Sequence, residues 1–166
     1  MLWIESSLND LYQSSVEAFP NTTKRQHAVD PINIVHLEWI PFLGMKTLFV
    51  KGIAQNGEKE YSPIVVFKRV TYHETEAGCI SLKAKDGTYF LEQLSSEDTD
   101  VLVRCDCPDF GFRFKYYDHL DKSLHGHKGK KYQGQGLWEA NPHHLPGMCK
   151  HVIKLWKVLS ESTIIA

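Results

Sequence analysis

The sequence lacks any hydrophobic run long enough to cross a bilayer. A membrane-spanning helix needs about 18–20 consecutive apolar residues, whereas the apolar stretches among these 166 residues, such as residues 64–67, have the length of a strand. The first residues contain neither the basic segment nor the apolar segment of about 7–15 residues that a secretory signal requires. We therefore expect no export signal and no membrane partner.

An excess of charge of one sign is also missing. The chain has 19 Lys and Arg against 20 Asp and Glu, a formal net charge of -1, which argues against a generic polyanion-binding protein. The charge is nevertheless unevenly divided: residues 105–166 hold nine basic and six acidic side chains, and residues 1–104 hold ten and fourteen. The content of 42% hydrophobic and 23% charged residues is typical of a globular chain that can bury a core.

The patterns of several enzyme classes are absent too. The sequence contains no glycine-rich phosphate loop, no H-E-x-x-H and no G-x-S-x-G. His36 and Glu38 share a face of a predicted strand, and His73 precedes an acidic stretch, but such neighbours are typical of surface pairs. We expect the protein not to be an enzyme and assign no catalytic residue.

Cysteine is scarce, and the positions of the four cysteines carry most of the information. A chain of this length does not need disulfides for stability, and the single residue between Cys105 and Cys107 disfavours a bond within that pair. Cys149 and His151 form a second close pair, C-x-H. The two pairs together supply three thiolates and one imidazole, a complete tetrahedral zinc shell. The remaining residue, Cys79, is predicted to be a small buried side chain within a strand.

Four protein ligands would leave no coordination position for water or substrate, so the pattern favours a structural zinc ion. That ion would tie together the two ends of a segment of 41 residues, which lies between Cys107 and Cys149. We expect about one zinc ion per chain and a loss of stability when a ligand is removed.

A second metal site is a weaker possibility. Six of the nine histidines lie between positions 119 and 151, and either His125 with His127 or His143 with His144 could contribute to such a site. Neither pair has a neighbouring cysteine or carboxylate to complete it, so a solvated surface loop is favoured. His143 or His144 could instead form a hydrogen bond to a zinc ligand.

Periodicity predicts an α+β fold. Apolar positions predict an N-terminal helix over residues 6–19, with Ser7 and Asp10 as a capping box. Alternation then predicts an antiparallel meander of five or six strands, listed by residue range as 34–40, 47–55, 61–70, 79–85, 88–94 and 100–104. Asn56-Gly57 predicts a type I′ hairpin turn. Apolar positions from residue 148 onward predict a C-terminal helix.

These elements predict three regions. Residues 1–20 would form a docking helix or arm, residues 21–104 an antiparallel β region, and residues 105–166 a zinc-tied β/loop/helix unit.

The segment between the two metal-binding pairs has an unusual composition. Its aromatic residues alternate as in a strand and could belong to the core or to an interface: Phe110, Phe112, Phe114 and Tyr116. Basic residues interleave with aromatics over residues 113–131, which leaves contact with nucleic acid open.

Residues 103–110 and 146–152, which contain the two metal-binding pairs, resemble a SWIM-type zinc finger over about 50 residues. All four ligand positions of that module match Cys105, Cys107, Cys149 and His151, but the long insert departs from the compact form. SWIM modules occur in DNA-associated and in protein-interaction proteins, so the resemblance allows either kind of partner.

The longer form, with aromatics after C-x-C and an N-P…P-G-x-C-K-H approach to the second pair, is similar to small virion structural proteins of large tailed bacteriophages. Residues 45–70 resemble their strand–hairpin–strand segment. The resemblance implies a non-enzymatic component of the neck, tail or baseplate, located in the virion and assembled in the host cytoplasm. It implies contacts with other virion proteins and with copies of itself, but not their identity or number. The alternative is a SWIM-type nucleic-acid-binding accessory protein.

Overall fold

The computed structural model describes residues 6–18, 32–126 and 145–166, and it confirms the predicted α+β class with an N-terminal and a C-terminal helix. The elements are, in chain order, α1 (Leu8–Ala18), β1 (Ile32–Phe42), β2 (Thr47–Asn56), β3 (Lys59–Tyr61), β4 (Ile64–Phe67), β5 (Tyr72–His73), β6 (Ile80–Ala84), β7 (Gly87–Leu91), β8 (Val101–Arg104), α2 (Pro108–Arg113), α3 (Lys115–Leu120) and α4 (Lys150–Ser160). Within these ranges, every helix is too short or too polar to cross a bilayer.

The strands form two antiparallel sheets rather than one continuous meander. The larger sheet has the order β1-β2-β4-β8, with β3 also paired to β2, and the smaller has the order β5-β7-β6. The chain leaves the larger sheet after β4 and returns with β8, which pairs along β4 from Ile64 opposite Arg104 to Phe67 opposite Val101. Strand β8 thus pairs with the side of β4 that faces away from β2, and it brings Cys105, the residue after β8, to the sheet.

The predicted first hairpin is present, but its turn differs from the predicted type. Asn56 pairs with Lys59, so Gly57 and Glu58 are the central residues, and of these two only Gly57 has a positive φ, of 65°. A type I′ turn requires positive φ at both positions, so that prediction is wrong. Farther along, Pro63 separates β3 from β4, because proline has no N–H to donate, and its carbonyl accepts a hydrogen bond from Gly52 at 3.0 Å.

The aromatic run after the C-x-C pair is helical, and the prediction of a strand there is wrong. Pro108 occupies the start of α2, where its missing N–H costs nothing. Phe110, Phe114 and Tyr117 are buried and follow the three- and four-residue spacing of a helix face. The core interpretation of Phe110 and Phe114 is confirmed, since neither is exposed.

The helix α1 begins as its sequence predicts. The backbone N–H of Ser7 donates to Asp10 Oδ2 at 3.0 Å, and the N–H of Asp10 donates to Ser7 Oγ at 3.2 Å, which is the reciprocal pattern of a capping box. Leu8 and Leu11 are fully buried. They belong to the same core as the sheet, α4 and the three clustered cysteines.

Candidate metal centre

Two segments, the β8–α2 connection and the start of α4, bring the predicted ligand residues together. Cys105 directly follows β8, Cys107 precedes α2, Cys149 precedes α4, and His151 lies in the first turn of α4. The four candidate ligand atoms all lie within 4.8 Å of one another. Each side chain is buried, with at most 5% of its surface exposed. The structure therefore joins the two sequence pairs into one compact group that could hold a metal ion.

Cys107 and Cys149 are the N-cap residues of α2 and α4, and the backbone at the start of a helix favours a negative charge. Cys107 Sγ accepts a hydrogen bond from the backbone N–H of Phe110 at 3.3 Å, and Cys149 caps α4 with an extended backbone. Unpaired N–H groups at a helix start favour an anionic sulfur. Between the two C-x-C thiols, Asp106 Oδ1 accepts from the N–H of Ser62 at 2.7 Å, which fastens this turn to the β3–β4 connection.

The distances fit a tetrahedral zinc ion. His151 Nδ1 lies 3.9 Å from the Sγ atoms of both Cys105 and Cys149. Zinc bonds of about 2.0–2.3 Å would separate neighbouring tetrahedral ligands by roughly 3.5–3.8 Å, so only small movements are needed. Three soft sulfurs and one imidazole favour zinc over oxygen-preferring cations such as magnesium or calcium.

The thiols cannot all ionise together without a cation. Mutual hydrogen bonding raises the pKa of the Cys105 thiol and lowers that of the Cys107 thiol. Burial raises the pKa of Cys149 well above its usual value. A divalent cation would replace the protons and offset two of the three negative charges of the buried thiolates, so metal binding should release protons.

The side of the His151 ring away from the thiols is also in contact. Its Nε2 lies 3.5 Å from the side-chain nitrogen of Asn56, and the Tyr61 ring packs against the imidazole with centroids 4.6 Å apart. If Nδ1 binds a metal, Nε2 carries the ring proton and needs a hydrogen-bond acceptor. The side-chain oxygen of Asn56 can accept that bond when the amide group is rotated by 180°, which exchanges its oxygen and nitrogen. From the sequence, Asn56 was predicted only as a turn residue, and the contact of Tyr61 with His151 was not predicted.

The buried carboxyl group of Asp118 in α3 is a second contact that the sequence did not predict. Asp118 is not exposed, and its Oδ1 accepts a hydrogen bond from the backbone N–H of Gly147 at 2.7 Å. Burial raises its pKa well above the usual value. Asp118 thus contacts the segment that leads into Cys149, a contact for which the sequence offers no signal beyond one acidic residue in a basic stretch.

The other candidates within the described residues, Cys79 and His125, are not part of this group. Cys79 is half-buried and precedes β6, so its prediction as a buried strand residue is wrong; a turn with Gly78 at φ 73° lies immediately before it. The His125 ring packs on Phe49 with centroids 5.2 Å apart. His127, His143 and His144 lie outside the described residues. Within the described ranges, no second group of three or more potential ligands is found.

The histidines considered for catalysis lie near acidic groups at the surface. His73 Nε2 is 3.1 Å from Glu92, and Glu38, near His36 on β1, pairs with Lys85 at 3.0 Å. Both are pairings of exposed or half-exposed groups, and their partners, Glu92 and Lys85, are not the ones that the sequence predicted.

Comparison with known proteins adds no family to this site. No protein-family model, curated protein or solved structure matches the chain. The resemblance to SWIM-type zinc fingers therefore depends on the residue types and spacing of the two pairs. The geometry supports a coarser conclusion: the protein has a buried Cys3His cluster that could hold a metal ion, for which zinc is the best chemical fit.

Proposed function

We propose that the protein is a non-enzymatic structural protein whose fold is held by one zinc ion bound to Cys105, Cys107, Cys149 and His151. The observation that carries the proposal is the burial of all four donors within 4.8 Å of one another. Four protein ligands complete the zinc shell and leave no position for a substrate. The ion would join the end of β8 to the start of α4, so its role is to cross-link the fold.

An apolar hairpin tip supports a role in protein–protein contacts. Around the turn that joins β1 to β2, Phe42, Leu43 and Met45 are 42%, 51% and 71% exposed. An exposed cluster of large apolar side chains is typical of an interaction surface. In addition, β1 is an edge strand of the larger sheet, and another chain can add a strand beside an edge strand. These features suit a subunit that contacts copies of itself.

The particle in which such a subunit would act is proposed from the sequence resemblance. The SWIM-like pairs, the long insert and the aromatic residues resemble virion proteins of large tailed bacteriophages. On this basis the protein is a component of the neck, tail or baseplate that joins other virion proteins, assembled in the host cytoplasm.

Nucleic-acid binding is the second candidate, supported by the outer face of the larger sheet. The rings of Phe42, Phe49 and His125 follow one another with centroids 5.0 and 5.2 Å apart. Burial lowers the pKa of His125, and the nearby positive charges of Arg104 and Lys51 lower it further. Aromatic rings beside cations suit single-stranded nucleic acid. The basic residues 128, 130 and 131 lie outside the described residues.

The zinc proposal is tested by metal analysis of purified protein. We expect about one zinc ion per chain, and we expect Cys149→Ser to lose it. The same substitution should lower the melting temperature by more than about 10 °C, since 1 kcal/mol corresponds to about 2–4 °C in a chain of this size. Cys79→Ser is the matched control, because Cys79 lies outside the cluster, and it should keep both zinc and stability. A metal-free, fully folded wild type would contradict the proposal.

Sedimentation and nucleic-acid titration separate the two candidate functions. A zinc-loaded protein that forms a closed oligomer and does not bind single-stranded DNA at low salt supports the structural role. A monomer whose DNA affinity falls steeply with salt supports the second candidate instead.

A further inference from the structure

The three residues before Cys149 are held by side chains from two other helices. The hydroxyl of Ser14 in α1 donates to the Pro146 carbonyl, the N–H of Gly147 donates to Asp118 in α3, and the N–H of Met148 donates to Ser15 Oγ in α1; each bond measures 2.7 Å. Residues 146–148 are called the approach segment below. Its position determines where the Cys149 thiol lies.

Ser15 connects the approach segment to the backbone of α1. Its hydroxyl accepts from Met148 and donates to the Leu11 carbonyl at 2.7 Å, so both of its hydrogen-bonding roles are used. Ser15 is 1% exposed, and water therefore has little access to replace either bond. Loss of the hydroxyl would leave the buried N–H of Met148 without its acceptor.

The backbone of the approach segment is packed as closely as glycine permits. A Cβ at Gly147 would lie 2.4 Å from Ser15 Oγ and 2.6 Å from the Phe114 ring. The helix α1 also packs beside α4 through Tyr12 and Trp156, whose ring centroids are 4.8 Å apart. These contacts leave α1 and the approach segment little freedom to move independently.

We propose that Ser14, Ser15 and Asp118 are positioning residues of the metal site, so that docking of α1 and metal binding favour each other. The proposal rests on the zinc binding proposed above. Cys105 and Cys107 belong to the β8–α2 segment, whereas Cys149 follows the approach segment. A shift of the approach segment would therefore move one thiolate relative to the other two. By linkage, whatever holds α1 in place raises metal affinity, and metal in turn holds α1.

The test measures zinc transfer to a chelator from the full-length wild type and from Ser15→Ala. Groups that orient metal ligands typically change metal affinity by about 10–100-fold, so we expect Ser15→Ala to speed zinc release at least about tenfold. The thiolate-to-metal absorption of the Co²⁺-loaded variant should also change. Ser162→Ala is the matched control: it too removes a bond from a serine hydroxyl to a helix carbonyl, that of Leu159 at 2.6 Å, but it lies at the far end of α4.

Two more variants keep the test decisive if Ser15→Ala folds poorly. Ser14 is only half-buried, so Ser14→Ala should fold and should release zinc faster than wild type. Asp118→Asn keeps an oxygen acceptor for Gly147 and should release zinc more slowly than Asp118→Ala. Wild-type release rates in folded Ser14→Ala and Ser15→Ala would overturn the inference. A wild type that binds neither zinc nor cobalt would instead overturn the proposed function.

Discussion

Gly147 is the residue at which the approach segment comes closest to its neighbours. Substitution by alanine would force its methyl group against Ser15 and the Phe114 ring, since the Cβ would lie within 3.0 Å of both. Overpacking of a filled site costs about 1–3 kcal/mol. We expect Gly147→Ala to lower the free energy of unfolding by at least that amount, measured by urea denaturation.

Gly111 provides the control for this substitution within the same chain. It lies in α2, and a Cβ there would meet nothing within 4 Å. Alanine is favoured over glycine in a helix by about 1 kcal/mol, so Gly111→Ala should leave stability unchanged or raise it. Equal losses in the two variants would refute the packing argument.

Asp118 predicts a pH dependence of stability. Burial raises the pKa of its carboxyl well above the usual value, so the folded state binds the proton more tightly than the unfolded chain. The protonated carboxyl therefore stabilises the folded state fully at pH values below about 3.9, the pKa of an aspartate in the unfolded chain. This stabilisation is lost as the pH rises through the pKa of Asp118 in the folded protein. Asp118→Asn cannot titrate, and its stability relative to wild type should therefore rise with increasing pH.

Urea denaturation of the zinc-loaded proteins from about pH 5 to about pH 8 checks this sign. Because both proteins contain the same cysteines, effects of thiol protonation cancel in the difference. A stability difference between Asp118→Asn and wild type that stays constant over this pH range would rule out the predicted titration.

At the level of the element, α1 depends on its N-cap. Ser7 and Asp10 exchange two hydrogen bonds at the helix start, and removal of an N-cap side chain costs about 0.5–2 kcal/mol. We expect Ser7→Ala to lower the free energy of unfolding by about 1 kcal/mol, as measured by thermal or urea denaturation. Ser160→Ala, at the exposed end of α4, should cost less. If the two variants lose the same stability, the cap is not what stabilises α1.

At the level of the whole molecule, the exposed apolar residues of the β1–β2 hairpin tip predict that copies of the protein associate. Leu43 and Met45 are among the most exposed large apolar residues described, and burying them between copies would stabilise an oligomer. We expect Leu43→Glu combined with Met45→Glu to convert the proposed oligomer to a monomer in sedimentation, with little change in melting temperature. Leu120→Glu is the control, because Leu120 is 50% exposed but lies at the end of α3. A wild type that is monomeric at all concentrations would contradict this prediction.

Residue types and short spacings were sufficient to predict several features of the protein. The two thiols of C-x-C and the two donors of C-x-H are close in sequence, so the local backbone alone keeps each pair together. The N-cap of α1 and the apolar face of α4 are likewise local and could be predicted from periodicity. The aromatic run was ambiguous, because Phe110 and Phe114 fit both a two-residue and a four-residue period; Pro108 and the Cys107 cap favour the helix.

The sequence by itself determined the donor chemistry, the α+β class and the starts of α1 and α4, because these depend on neighbours a few residues apart. Only the tertiary structure decided that the two donor pairs meet across 41 residues, that β8 pairs with β4 and that Ser15 and Asp118 hold the approach segment. These contacts join residues far apart in the chain, and they form only when the sheet, α1, α3 and α4 pack around one core. The metal-donor residues can therefore be identified from the sequence alone, whereas their assembly into one centre depends on tertiary packing.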